Sequence, residues 1–131
     1  MARFVIDSGA TLHLASKGAT VSSNYELLAP TLWRSEAMAA LYEAVRSGEV
    51  AADVARERIV WVNALKIRLL GDAVLRRRAW ELAFELGLDT TYPAEYIALA
   101  QLQKGTLVSA DARLLERVGD IVPTATVDVL G

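Results

Sequence analysis

Ala94–Leu115, AEYIALAQLQKGTLVSADARLL, decides the fold. Tyr96, Ile97, Ala98, Leu99, Ala100 and Leu102 leave few polar faces, so the pattern predicts a helix from about Pro93, buried on several sides. Pro93 falls in its first turn, where a missing N–H costs little. Gly105 is expected to end it. Thr106–Ser109 then reads as a short apolar strand with Asp111 just beyond its end, and Ala112–Arg117 as another helix. An apolar strand without alternation, flanked by helices, belongs in a parallel sheet covered on both faces.

The N-terminal segment repeats this arrangement. Phe4-Val5-Ile6 is an apolar run ending at Asp7, with a helix expected over Ala10–Lys17 and a polar loop from Gly18 to Asn24. Leu27-Leu28-Ala29 is a second strand, stopped by Pro30. Thr31 is placed to cap a helix running to about Ser47 and ending at Gly48. Its apolar positions include Trp33, Ala37 and Leu41, with Glu36 at the border of that face. A further helix is expected over Ala51–Leu65, a strand over Ile67–Leu70, and a helix from Asp72 closed by Gly87. Ile121–Val129 should hold one or two final strands around Pro123. Strands alternating with helices predict an α/β fold, a three-layer α/β/α sandwich. Its central, mainly parallel sheet should have four to five strands, in a single domain over 1–131.

Bulk properties narrow the chemistry. With 131 residues the chain is long enough to bury a core. Hydrophobic residues make up 53%, above the roughly 45–50% usual for globular domains, which hints at an apolar surface covered by a partner. No cysteine excludes disulfides and thiolate metal sites, and a single histidine cannot build a zinc site. Any metal must therefore be held by oxygen, which suits Mg²⁺ or Mn²⁺. A formal net charge of −2 argues against a non-specific electrostatic nucleic-acid binder. Neither a signal peptide nor a membrane span is legible, so a cytoplasmic protein is expected.

Four acids, Asp7, Glu36, Glu95 and Asp111, are far apart in sequence, and three of them sit at strand ends or helix starts. A parallel sheet gathers such positions on one edge, where ligands bind. Carboxylates there can hold a hard cation for phosphodiester cleavage. Ser8 and Ser109 are placed to hydrogen-bond them. Each acid also has an ordinary structural role: Asp7 and Asp111 as helix caps, Glu36 as a solvated helix residue, Glu95 as a complement to the helix dipole. His13 lacks an orienting partner and reads as a packing or surface residue. Arg113, Lys66, Arg68 and the Arg76–Arg78 run are cations that can meet phosphate; Arg76 and Arg77 read better as a solvated helix face.

FVIDSGA, LLAPTLWRSEAMAALYEAV, TTYPAEYIALAQLQ and GTLVSADARLL together span nearly the whole chain. In this order they resemble the PIN-domain ribonucleases, in particular VapC-type toxins of type II toxin–antitoxin systems. The resemblance implies a PIN-like α/β/α fold, a Mg²⁺-dependent (or Mn²⁺-dependent) endoribonuclease, an RNA substrate, a cognate VapB-type antitoxin, and a homodimer or a heterocomplex with that antitoxin. It assigns Asp7, Glu36 and Asp111 as catalytic acids and metal ligands. Many members read tyrosine–aspartate–alanine where this chain has Tyr92-Pro93-Ala94, and Pro93 cannot bind a metal. Glu95, two residues on, is expected to supply the missing carboxylate. The helices over 31–47 and 51–65 are the candidate antitoxin surface.

Two other classes fit part of the pattern. One is a PIN-like RNA- or protein-binding module with a degraded site, for which Pro93 is the best support. The other is a receiver-like phospho-acceptor domain, disfavoured because Asp111 stands where such a domain wants a lysine.

Overall fold

The computed structural model describes residues 1–131. The chain alternates β1 (Ala2–Ile6), α1 (Ser8–Ser16), β2 (Tyr25–Pro30), α2 (Trp33–Arg46), α3 (Ala52–Ala64), β3 (Arg68–Leu70), α4 (Ala73–Leu86), α5 (Tyr92–Gln103), β4 (Thr106–Val108), α6 (Ala112–Val118) and β5 (Thr124–Ala125). A 3₁₀ turn over Val127–Leu130 ends it. All five strands are parallel, in the order β3-β2-β1-β4-β5.

The central strand explains the apolar run. β1 pairs with β2 through Phe4↔Leu27 and with β4 through Ile6↔Val108. Val5, Ile6, Leu28, Leu107 and Val108 are wholly buried, each contributing about 1.5–3 kcal/mol where the side chain is large. The connections run from β1 outward to β2 and β3, then restart beside β1 with β4 and β5. Right-handed crossovers therefore put α1, α2 and α3 on one face and α4, α5 and α6 on the other. Packing agrees: α1 touches α2 and α3, while α4 packs on α5, which lies across β1, β2 and β4.

Several boundaries differ from the sequence expectation. α1 starts at Ser8, not Ala10, because the Asp7 carboxylate accepts the Ala10 N–H at 2.8 Å and opens the helix at once. Thr31 does not cap α2. Leu32 holds that position without a side-chain bond, and Thr31 packs against Gly71, where a Cβ would meet Thr31 Oγ1 at 3.0 Å. α5 is buried through Tyr96–Ala100 as expected, but Lys104 rather than Gly105 takes the left-handed conformation that ends it. A Cβ on Gly105 would lie 3.4 Å from the Arg3 carbonyl, so the glycine permits close approach of β4 to β1. Ile121–Val129 holds only the two-residue β5 and the 3₁₀ turn. Asp72 caps α4 through Leu75 N–H at 2.8 Å and Gly87 closes it at φ 62°, both as the sequence indicates.

One polar thread runs through the core. Buried Trp33 donates its indole N–H to Thr11 Oγ1 at 2.8 Å, and Thr11 donates its hydroxyl to the Asp7 carbonyl at 2.7 Å. Both side chains are fully buried. Thr11→Val keeps the shape and removes the acceptor, stranding the indole N–H. Chemical denaturation should show a loss of about 1–3 kcal/mol.

Candidate active site

The carboxyl ends of β1 and β4 are neighbours, and the chain leaves them in opposite directions. That is the switch point of a doubly wound sheet, the position at which such sheets bind ligands. Asp7 follows β1, with its N–H donating to the Val108 carbonyl at 3.2 Å, which fixes it against β4. Asp111 follows β4 by three residues. Its Oδ1 accepts Arg113 N–H at 3.0 Å and Leu114 N–H at 3.3 Å, capping α6, while its other oxygen makes no hydrogen bond within the chain. Both acids therefore do cap helices, and both also face each other's charge.

Ser109 joins them. Fully buried, it accepts the Asp111 N–H at 3.0 Å, which leaves its own proton to turn toward Asp7. Burial pushes the Asp7 carboxyl above its ordinary range; Ser109 and the Ala10 N–H pull it back, and the Asp111 charge raises it further. Ser8, expected in the same supporting role, does not fill it. It opens α1, and its hydroxyl bonds to neither acid, because the cap on Ala10 draws the chain into the helix immediately.

Glu36 enters from the first turn of α2, three residues after the buried Trp33. Tyr96 of α5 donates its phenolic hydroxyl to Glu36 Oε1 at 2.5 Å. Burial, that bond, and the charges of Glu36, Asp7 and Glu95 all raise the Tyr96 pKa, so the phenol remains a donor. Glu95 lies in the first turn of α5, where Pro93 sits as expected. Burial and the Glu36 charge raise its carboxyl, and Arg76 of α4 opposes them.

Four acids from four elements thus share one end of the sheet. None forms an ion pair; the cations that do pair, Arg3, Arg68 and Arg78, engage Glu26, Glu81 and Glu85. The set is pairwise, Asp7 with Asp111 and Glu36 with Glu95, and no three acids converge on one ion position. A hard cation that keeps several waters needs only one or two protein carboxylates, and the all-oxygen, uncompensated Asp7–Asp111 pair fits that demand.

Spacing did not single out Tyr96, although a tyrosine inside an otherwise apolar buried helix needs a partner. Arg76, read from the sequence as part of a solvated helix face, is exposed but also lowers the Glu95 pKa by its charge. Arg113 is exposed beside Asp111, without an ion pair. Lys66 and Arg68 lie at the start of β3, beside Tyr25 and Glu26 of β2, in a groove of about 790 Å³ at the opposite end of the sheet from the acids. They are not part of this site.

Solved structures share the fold. A protein of Pyrobaculum aerophilum, PAE2754, superposes at TM-score 0.68 with 24% identity, over 98% of this chain and 92% of that one. VapBC-1 of nontypeable Haemophilus influenzae gives 0.61 with 11% identity, over 96% and 98%. A PilT N-terminus domain protein of Sulfolobus solfataricus gives 0.52 with 17% identity, over 97% and 88%. The chain has the PIN-like α/β fold. No protein-family model matches it, and no curated protein does. No helix is long and apolar enough to cross a membrane.

The burial of Asp7, with the Asp111 charge adding to it, has a stability signature. The folded state holds the Asp7 proton more tightly than the unfolded chain, whose ordinary value is 3.8. Its contribution is therefore fully present below that pH and lost as pH rises through the raised folded value. Asp7→Asn keeps the cap and removes the charge. In the metal-free protein it should raise the Tm at neutral pH by a few degrees, and the gap to wild type should close as pH falls below 4.

Proposed function

We propose that this chain is a metal-dependent endoribonuclease, the toxin component of a toxin–antitoxin pair. The observation that carries this is the set of four carboxylates from separate elements, gathered without ion pairs at the switch point of a PIN-like sheet. Charges are expensive to bring together in a partly buried site. An arrangement that raises two of its own pKa values gains from a divalent cation.

Asp7 and Asp111 would hold Mg²⁺, or Mn²⁺ in its place. Glu36 and Glu95 would act through water, with Glu95 supplying the carboxylate that Pro93 cannot. When bound, the cation supplies an acidified water and draws charge from phosphate oxygens. The chain's own residues position the rest. Ser109 couples the orientations of Asp7 and Asp111, and Tyr96 fixes Glu36. Arg113, beside Asp111, is placed to contact the phosphate. His13 takes no part, being on α1 away from these groups.

A VapB-type antitoxin would dock on α2 and α3. Met38 and Tyr42 of α2 and Val60 of α3 are well exposed, and a shallow groove of about 180 Å³ lies between these helices. Amphipathic helices bind such grooves through apolar anchors at helical spacing.

Two observations favour a second possibility, a PIN-like binding module with a degraded site: Pro93 in the first turn of α5, and the absence of three acids converging on one point. Cleavage separates the two. Purified, antitoxin-free protein should cut structured RNA with Mn²⁺ or Mg²⁺ and not with EDTA. Asp7→Asn and Asp111→Asn should each cost more than the roughly 10–100-fold typical of losing an outer-shell partner, and Glu95→Gln should lower the rate as well. Absence of both cutting on every RNA pool and Mn²⁺ binding by calorimetry would leave only the module. Tyr96→Phe provides a finer check. It should cost about 0.5–1.5 kcal/mol of stability yet lower cleavage by freeing Glu36, which no purely structural hydrogen bond would do.

A further inference from the structure

α4 carries two large aromatic side chains that the fold does not use. Trp80 is 61% exposed and Phe84 72%, although Leu75, Ala79 and Leu82 bury the opposite face of the same helix. Their rings meet edge to face, with centroids 5.3 Å apart and planes at 61°. Each therefore holds the other in place and leaves aromatic surface to solvent.

The stripe has a direction. Arg76, Trp80 and Phe84 are spaced four residues apart, so they follow one line along the helix, covering about 12 Å at 1.5 Å per residue. Its first member is the cation that acts on Glu95 of the acid cluster. Arg77, also exposed, stands beside it. The charge on this helix is sorted. Arg78 engages both Glu81, at 3.9 Å, and Glu85, at 3.3 Å, and bonds Gln101 at 2.7 Å. Arg76 and Arg77 are left without an ion pair, followed by two exposed rings.

Unpaired cations leading into exposed aromatics complement a flexible polyanion with flat faces. We propose that the Arg76–Trp80–Phe84 stripe binds single-stranded RNA, with phosphates on Arg76 and Arg77 and unpaired bases stacked on Trp80 and Phe84. A duplex hides its base faces and cannot use the rings. The stripe leads away from the carboxylates, so a strand on it extends from the site where its phosphodiester is cut. This inference rests on the nuclease proposal and deepens it by naming the surface, on α4, that holds the strand beside the cut.

The test measures binding of the full-length chain in EDTA, so that no cleavage competes. The probes are a short 2′-O-methyl oligouridylate and the same strand annealed to its complement. The single strand should quench tryptophan fluorescence and bind at least about tenfold more tightly than the duplex. Trp80→Ala and Phe84→Ala, both surface changes, should each weaken it by about tenfold. Arg76→Gln with Arg77→Gln should reduce the salt dependence by about 0.7 log units per log salt for each phosphate no longer neutralised. Unchanged affinity in the Trp80→Ala, Phe84→Ala double variant would overturn the proposal. So would light scattering that finds a wild-type dimer, a monomeric double variant and equal RNA affinity, since the stripe would then be a contact between two copies. The outcomes stay separate from the chemistry. Metal-dependent cleavage with no effect of the aromatics removes the stripe alone; RNA binding lost with the aromatics, in a protein that never cleaves, removes the nuclease alone.

Discussion

The hydrogen-bonded line from the Trp33 indole through Thr11 to the Asp7 carbonyl holds the functional end of this molecule together. Three elements meet in it: the end of the central strand, the first helix and the start of α2. A buried donor must find a partner or lose the full cost of leaving water, so this line fixes the angle at which α2 enters. Glu36 is one turn beyond Trp33, and Asp7 is the residue whose carbonyl accepts the last bond. Two acids from different elements thus take their positions from one buried line of hydrogen bonds. On the other face, Tyr96 reaches from α5 to Glu36 and closes the frame.

Within that frame the acids are arranged against their own stability. Asp7 and Glu95 both hold protons more tightly than isolated carboxyls, with burial the larger cause and a neighbouring acid adding to it. Glu26, Glu81 and Glu85, by contrast, lie against Arg3, Arg68 and Arg78. Local conflict of this kind is expected at functional sites and rare elsewhere. It also gives Ser109 its role, since its buried hydroxyl favours the Asp7 carboxylate without neutralising it.

The apolar faces divide between the two sides of the sheet. α5 is buried on nearly all sides because it crosses three strands beneath α4. α4 covers it with one face and leaves Trp80 and Phe84 outside. α2 and α3 show Met38, Tyr42 and Val60 on the other layer. The high hydrophobic content of the chain is thus partly surface, as its composition hinted.

Much of this could be read from residue order. Continuous apolar runs at 4–6 and 106–108, each followed by an acid, required a parallel sheet, because a strand covered on both faces carries no polar alternation. Asp72 and Gly87 marked their helix at both ends, since a cap side chain and a left-handed glycine act through local backbone geometry. Three of the four acids were legible as strand-end or helix-start positions, and Glu36 as the border of an apolar helix face. What sequence spacing could not decide depends on which side chains meet across elements. Thr31 gave up its capping role to packing on Gly71, Ser8 bonds neither acid because α1 begins early, and the last strand shrank to two residues. Only the tertiary structure brought Tyr96 to Glu36 and Arg76 to Glu95, whereas Ser109 was expected from the sequence as a support of the acids. Local propensity and periodicity are properties of neighbouring residues, whereas hydrogen bonds and charge coupling between residues far apart in the chain are set by how the layers pack.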